Sequence, residues 1–433
     1  MSQRLKQQNE RTLSETQYRA NWPIGDSMSQ EPVSRRAWAV VGCAWLLSFA
    51  MFSRMLCLPP IASVVKDTLS LSHSRMGLIF PIPVAILAAT AIPSGILGDR
   101  IGPRRAAGIG AIVMAVGSFA TGTATDFWSL FGYYCIFGLG FSMAFTSLPK
   151  LMGLWFPPDK VSMVTGIYGT GFAIGAAVAL GITVSFIFPL TNSFRGTFYI
   201  WSLPVTIAAI LWWVVVKEHP SSFSAPRSGE GEIGREPSYG VWKNRNLWFL
   251  AFVMFFQNMH FYTWTGWTPQ LMMMKGASPH SAALMISLMT WVSIPFIFLI
   301  PWASHKLGLV KPFISISAFG LALASWVAIY IPVPWGWPLM VFIGALLPTF
   351  PLLLSLPVAL VPKEWVGTAS GMTLSIGYLG ALVGPWLAGY LLDVAGNLNP
   401  ALFVLIVAGF AYAGFGLLLP ETGSRRGKTP SAV

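Results

Sequence analysis

Twelve runs of roughly 20 or more mostly apolar residues take up most of this 433-residue chain. No feature restricts its folding more. A run of that length is what a helix needs to cross the hydrocarbon of a bilayer, where every backbone polar group must be satisfied internally. The spacing predicts spans at 37–61, 76–98, 105–125, 127–149, 161–188 and 196–217, then at 246–272, 280–303, 310–331, 336–361, 366–393 and 399–420. The charge content points the same way: 10% of residues are charged and 55% hydrophobic, whereas soluble domains are about a quarter charged. The predicted fold is therefore an all-α integral membrane protein of twelve transmembrane helices in two six-helix bundles. Its divisions are a tail over 1–36, a first bundle over 37–217, a linker over 218–245 rich in Ser, Pro, Gly and charge, a second bundle over 246–420 and a tail over 421–433. The first tail has no apolar core or cleavage site of a signal peptide.

Basic residues give the orientation. Of 27 Lys and Arg, 22 fall on one predicted side, with both tails and the linker; Lys66, Arg75, Arg195 and Lys275 fall on the other, and Arg54 within the membrane. The positive-inside rule puts both termini in the cytoplasm, in a cell membrane. The net charge of +12 is explained by this distribution, so no nucleic-acid partner is expected. The halves also echo each other: shifted by 206 residues, Gly98-Asp-Arg-Ile-Gly102 falls over Ser304-His-Lys-Leu-Gly308. A shift of 210 lays Trp38 over Trp248, Pro59 over Pro269 and Arg54 over Trp264. A six-helix repeat is what a carrier with a site between two rocking halves requires.

The polar residues at membrane depth are few. Arg54 lies deep in the first span, and a cation there costs about 2.5–3.5 kcal/mol to insert. It either faces a solute pathway or snorkels to the outer headgroups. Its planar fork suits a carboxylate or another oxyanion. All acidic residues fall in tails, turns or span ends, so a proton relay has no mid-membrane carboxylate, and His260 is the one mid-span titratable candidate. The seventh span sets Gln257, His260 and Trp264 on one face with Asn258 and Tyr262 beside it, lining a cavity or gluing helices together. Gly266 and Pro269 are expected to loosen that helix. Tyr134, Tyr168 and Tyr378 are further substrate-binding candidates. The glycines at 166, 169, 171 and 175, and at 377, 380, 384 and 389, read as close helix packing. Nothing resembles a phosphate loop, metal cluster or catalytic triad, so neither an enzyme nor a cofactor is expected, and Cys43, Cys57 and Cys135 show no pairing pattern.

The turn Gly95-Ile-Leu-Gly-Asp-Arg-Ile-Gly-Pro-Arg-Arg105 resembles, at every position of the pattern, the loop between helices 2 and 3 of the major facilitator superfamily. Trp155-Phe-Pro, Phe194-Arg-Gly and Pro420-Glu-Thr are similar to its landmarks. The likeness implies alternating access around a central site. It also implies a conformational latch of Gly95, Gly98, Asp99, Arg100, Gly102, Arg104 and Arg105 closing against Thr368–Gly371, and a monomer as the family default. Gln257, Tyr262 and Trp267-Thr-Pro, with Gly377-Tyr-Leu-Gly, Gly384-Pro385, Gly389 and Asp393, look most similar to the cyanate-permease-like and nitrate-porter-like branches. Nitrate porters carry an arginine where Ala91 stands, and proton-coupled drug exporters one where Tyr134 stands. The function expected is secondary active or facilitative transport of a small solute, an anion held partly by Arg54, in a cavity lined by spans 1, 4, 5, 7, 10 and 11. The alternatives are a neutral or cationic aromatic or amphipathic compound, including its efflux, or a transporter-like receptor that moves nothing. The coupling ion is left open.

Overall fold

A computed structural model describes residues 34–217, 239–362 and 365–421. Most of the first tail, most of the linker and nearly all of the second tail expected from the sequence lie outside the described residues. The described residues from Ala39 onward make one compact unit.

The first six helices are α1 (Arg35–Leu56), α2 (Ile82–Ile101), α3 (Pro103–Thr121), α4 (Phe127–Trp155), α5 (Pro158–Ile182) and α6 (Phe194–Val215). The second six are α7 (Arg245–Met274), α8 (Pro279–Leu307), α9 (Lys311–Tyr330), α10 (Gly336–Leu346), α11 (Val366–Ala395) and α12 (Asn399–Leu418). Ten helical segments among the described residues are long and apolar enough to cross a membrane. The two that miss that standard are α3 and α7, of 19 and 30 residues. Their length suffices; Arg104 and Arg105 make α3 more polar, and Gln257, Asn258 and His260 do so for α7.

Sequence and structure differ where the chain bends. The first span ends at Leu56, and a turn and short helices continue it to Thr68. The fifth span passes into a π-turn, Thr183–Ile187, and a short helix, Phe188–Thr191. The tenth breaks after Leu346 and resumes as Phe350–Ser355 and Pro357–Leu360. Pro348, Pro351 and Pro357 withdraw three backbone donors there. By contrast α7 runs unbroken through Gly266 and Pro269 to Met274. Gly266 serves close approach instead, since a Cβ there would strike the Phe80 ring.

Within the first bundle α3 packs on α4 and α6, and α2 on α4; within the second α7 packs on α11 and α12, and α9 on α12. Small residues bring these helices together, as expected without a hydrophobic drive between helices in lipid. A Cβ on Gly171 or Gly175 would collide with the Trp45 or Phe49 carbonyl of α1, and one on Gly380 or Gly384 with the Phe255 or Met259 carbonyl of α7. Gly377 is closed in by Met254, and Gly389 by the His73 carbonyl. Gly166 and Gly169 depart from the expectation: open space lies in front of both.

Two seams join the bundles. At one, Ser287 of α8 donates to the Ala177 carbonyl of α5 at 2.8 Å. At the other, the helix His73–Ile79 leading into α2 packs on α11, with Gly77 against Pro385 and Trp386. Both lie at the end of the molecule away from the 95–105 turn. Near the turn, Gly371 of α11 has open space before it, like Gly166 and Gly169.

Candidate functional site

Arg54 ends α1, where the residues around it are apolar and the helix stops two residues later. Its side chain is 1% exposed, so it does not snorkel to a headgroup layer. It turns into the first bundle, donating to the Tyr134 hydroxyl at 3.3 Å, to the Cys57 sulfur at 3.4 Å and to the Thr121 hydroxyl. The guanidinium carbon lies over three rings, Phe198 at 4.6 Å, Tyr134 at 5.4 Å and Phe137 at 5.8 Å. Such faces attract a cation by about 0.5–2 kcal/mol each. Its Nε has no partner, and among the described residues none of its contacts is acidic. The result is a buried positive charge whose field is poorly screened in a low-dielectric interior.

Next to that charge stands a wall of rings on α1, α4 and α5. Phe137 leads to Phe141 at 6.3 Å and Phe141 to Phe52 at 5.8 Å. Phe172 contacts Phe52 at 4.9 Å and Phe145 at 5.5 Å, and Tyr168 meets Phe172 edge-on at 6.0 Å. Trp45 joins the same helices by donating from Nε1 to the Thr170 hydroxyl at 3.0 Å. Phe52, Phe145 and Phe172 are half-buried, and α5 is one of the helices on the seam with the second bundle. The rings stand tilted to one another, and an electropositive, apolar face of this kind can hold a planar or weakly hydrated solute against its rings.

The candidates on α7 share a helix, yet they hold three different neighbours. Gln257 donates to the Leu347 carbonyl at 3.1 Å, at the break after α10, where the same carbonyl also accepts the Thr349 amide at 2.8 Å. Asn258 donates to the Gly377 carbonyl of α11 at 3.3 Å. The two ring nitrogens of His260 lie 2.8 Å from the Phe256 carbonyl and 3.0 Å from the Leu405 carbonyl of α12. Tyr262 is buried beside Phe261. Trp264, buried with its Nε1 unpartnered, lines a cavity of about 20 Å³ toward α11 and α12, room for one water. Tyr378 packs on Phe350 at 6.1 Å. Thus Arg54 and Tyr134 come together, Tyr168 joins the ring wall, and the α7 group bonds within the second bundle. Sequence reasoning did not single out Phe141, Phe145, Phe172, Thr121 or Phe198. In a chain with 30 Phe, rings at lipid depth carry no signal of their own.

At the 95–105 turn, Lys150 of α4 holds Asp99 at 2.6 Å and donates to the Gly95 carbonyl at 2.9 Å. A Cβ on Gly98 would rest against the Ser147 hydroxyl, and Gly102 turns the chain with φ 89°. Arg104 stacks on Trp213 and donates to the Val216 carbonyl of α6. These latch residues are thus engaged within the first bundle, while Arg100 is exposed. The landmark Glu421 accepts from the Val310 and Lys311 amides at 2.7 and 3.3 Å, capping α9.

The family model described as Major Facilitator Superfamily matches residues 43–385. The 2-nitroimidazole transporter of Escherichia coli (strain K12) is 24% identical over 83% of this chain and 89% of its own. The cyanate transport protein CynX of the same strain is 22% identical over 78% and 86%. In three dimensions, a bacterial homologue of the human lysosomal transporter Spinster, solved in an inward-facing and occupied conformation, superimposes with a TM-score of 0.68 at 17% identity, covering 90% of this chain and 98% of its own. The fold and the sequence match agree: this chain belongs to the Major Facilitator Superfamily and is a multi-pass membrane transporter of small solutes.

Proposed function

We propose that the transported solute is a small anion, planar enough to stack, which occupies the space beside the ring wall of α1, α4 and α5. The observation that carries this is Arg54, a fully buried cation with no acidic partner among the described residues. In this reading Tyr134 holds the guanidinium in place and Tyr168 belongs to the wall. Gln257, Asn258, His260, Tyr262, Trp264 and Tyr378 shape and brace the opposite bundle. The excess of basic residues puts both termini and the 95–105 turn in the cytoplasm of a cell-membrane protein, with the latch released there. It works as a monomer, and His260 is the group to examine should a proton accompany the anion. The resemblance to a cyanate carrier agrees with an anion.

Uptake of cyanate, nitrate and benzoate into proteoliposomes tests the reading. Arg54→Gln should lower uptake of the transported anion by about tenfold or more, and Arg54→Lys should restore part of it, with uptake compared at equal amounts of folded protein because the hydroxyl and ring contacts of Arg54 also support the first bundle. Undiminished uptake by Arg54→Gln would remove the charge from the mechanism. A second reading, a neutral or cationic aromatic solute, is favoured by the ring wall itself and by the likeness to a nitroimidazole transporter. It predicts that nitroimidazole or another uncharged ring competes better than any anion.

A further inference from the structure

One carboxylate crosses between the bundles at the closed end. Asp393, in the last turn of α11, accepts the His73 amide at 2.8 Å and the His73 imidazole Nδ1 at 2.8 Å through one oxygen. Through the other it accepts the Ser74 amide at 2.8 Å. Three hydrogen bonds from one side chain of the second bundle thus grip the start of the segment that leads into α2 of the first. The grip is not isolated. A Cβ on Gly389, one turn before Asp393, would strike the His73 carbonyl, and one on Gly77 the Pro385 carbonyl, so the two backbones touch directly. Trp267 of α7 backs the contact, 6.1 Å from the His73 ring and 5.5 Å from Phe80. The charged neighbour Arg75 turns away, over Phe127 of its own bundle.

We infer that Asp393 is the clasp of this end of the carrier: a positioning residue that sets how readily the bundles part here to admit or release solute. Alternating access requires this seam to separate in every cycle. The packing of glycine on backbone makes the closed seam tight but supplies little beyond shape. The carboxylate adds directed bonds that are all made when the seam is closed and all lost when it opens. Bonds of that kind bias a two-state equilibrium by their full difference between the states. Ser74 contributes through its amide. His73 contributes one amide bond and one ring bond, so losing the ring should matter less than losing Asp393. The inference rests on membership of the transporter family and is independent of which solute is carried.

The test places spin labels on Asp67→Cys and Asn397→Cys, one on each bundle, under conditions that leave the native cysteines unmodified. Distances are measured by pulsed electron resonance in the full-length protein in lipid nanodiscs. With Asp393→Ala, a longer-distance population should grow by about threefold or more; Asp393→Glu should return the distribution toward that of the parent, and His73→Ala should fall between. Solute exchange by the Ala variant should change, while the thermal midpoint stays near parental. A parental distance distribution in Asp393→Ala would overturn the inference, as would a shift that Asp393→Glu and Asp393→Ala share equally.

Discussion

Gly380 and Gly166 both sit in glycine-rich helices, yet only one of them has a neighbour. A Cβ on Gly380 would collide with the Phe255 carbonyl of α7, backbone that cannot swing aside, whereas Gly166 faces open space. Gly380→Ala should therefore cost about 1–3 kcal/mol through overpacking, read as a lower thermal midpoint in detergent. Gly166→Ala should leave the midpoint equal or higher, because alanine favours the helix by about 1 kcal/mol. An unchanged Gly380→Ala protein would contradict the close approach of α11 and α7. The contrast shows what glycine spacing can and cannot say. Gly171, Gly175, Gly380 and Gly384 are packing glycines, as their clustering indicated, but the same pattern included Gly166 and Gly169, because spacing does not report which face a neighbour occupies. Arg54 teaches a similar lesson. Its depth and its lack of an acidic companion were legible in the residues, but its direction, into a cage of Tyr134, Phe137 and Phe198, depends on two distant helices, α4 and α6.

Among the elements, α7 departs furthest from its sequence pattern. Gln257 and His260 share one face of the helix with Asn258 beside it, and the structure spends them on carbonyls just after α10, in α11 and in α12. In a bilayer a freed carbonyl has no water to turn to, so a side chain that reaches it is worth keeping. At the break after α10 the Leu347 carbonyl accepts the Thr349 amide at 2.8 Å, and Gln257 adds a second bond to it. Gln257→Leu keeps the bulk and removes the donor. Because the Leu347 carbonyl keeps its bond from the Thr349 amide, this change should cost only about 0.5–1.5 kcal/mol for the one bond lost, and backbone amides over 343–350 should exchange hydrogen faster; parental protection there would contradict this role. The break itself was readable from Pro348, Pro351 and Pro357. Pro269 in α7 carried the same signal and stays inside a continuous helix packed along α11. Span positions followed from apolar runs and span ends did not, since caps and π-turns depend on local contacts rather than hydropathy.

At the scale of the molecule, two bundles meet along one seam between α5 and α8 and another between α11 and the helix His73–Ile79. The 95–105 turn fits that arrangement, its Asp99 held by Lys150 of its own bundle. The bundles and the family were legible, because lipid restricts chains to few architectures. The solute face was not, because it is assembled from common rings that only folding brings together. The account depends on a positive charge behind that face favouring an anion over a neutral twin. The direct measurement is the thermal midpoint of the purified, full-length protein against benzoate and cyanate on one hand and benzamide on the other. Stabilisation by an anion at concentrations where benzamide does nothing is the predicted result; equal or greater stabilisation by benzamide, with neither anion effective, would contradict it.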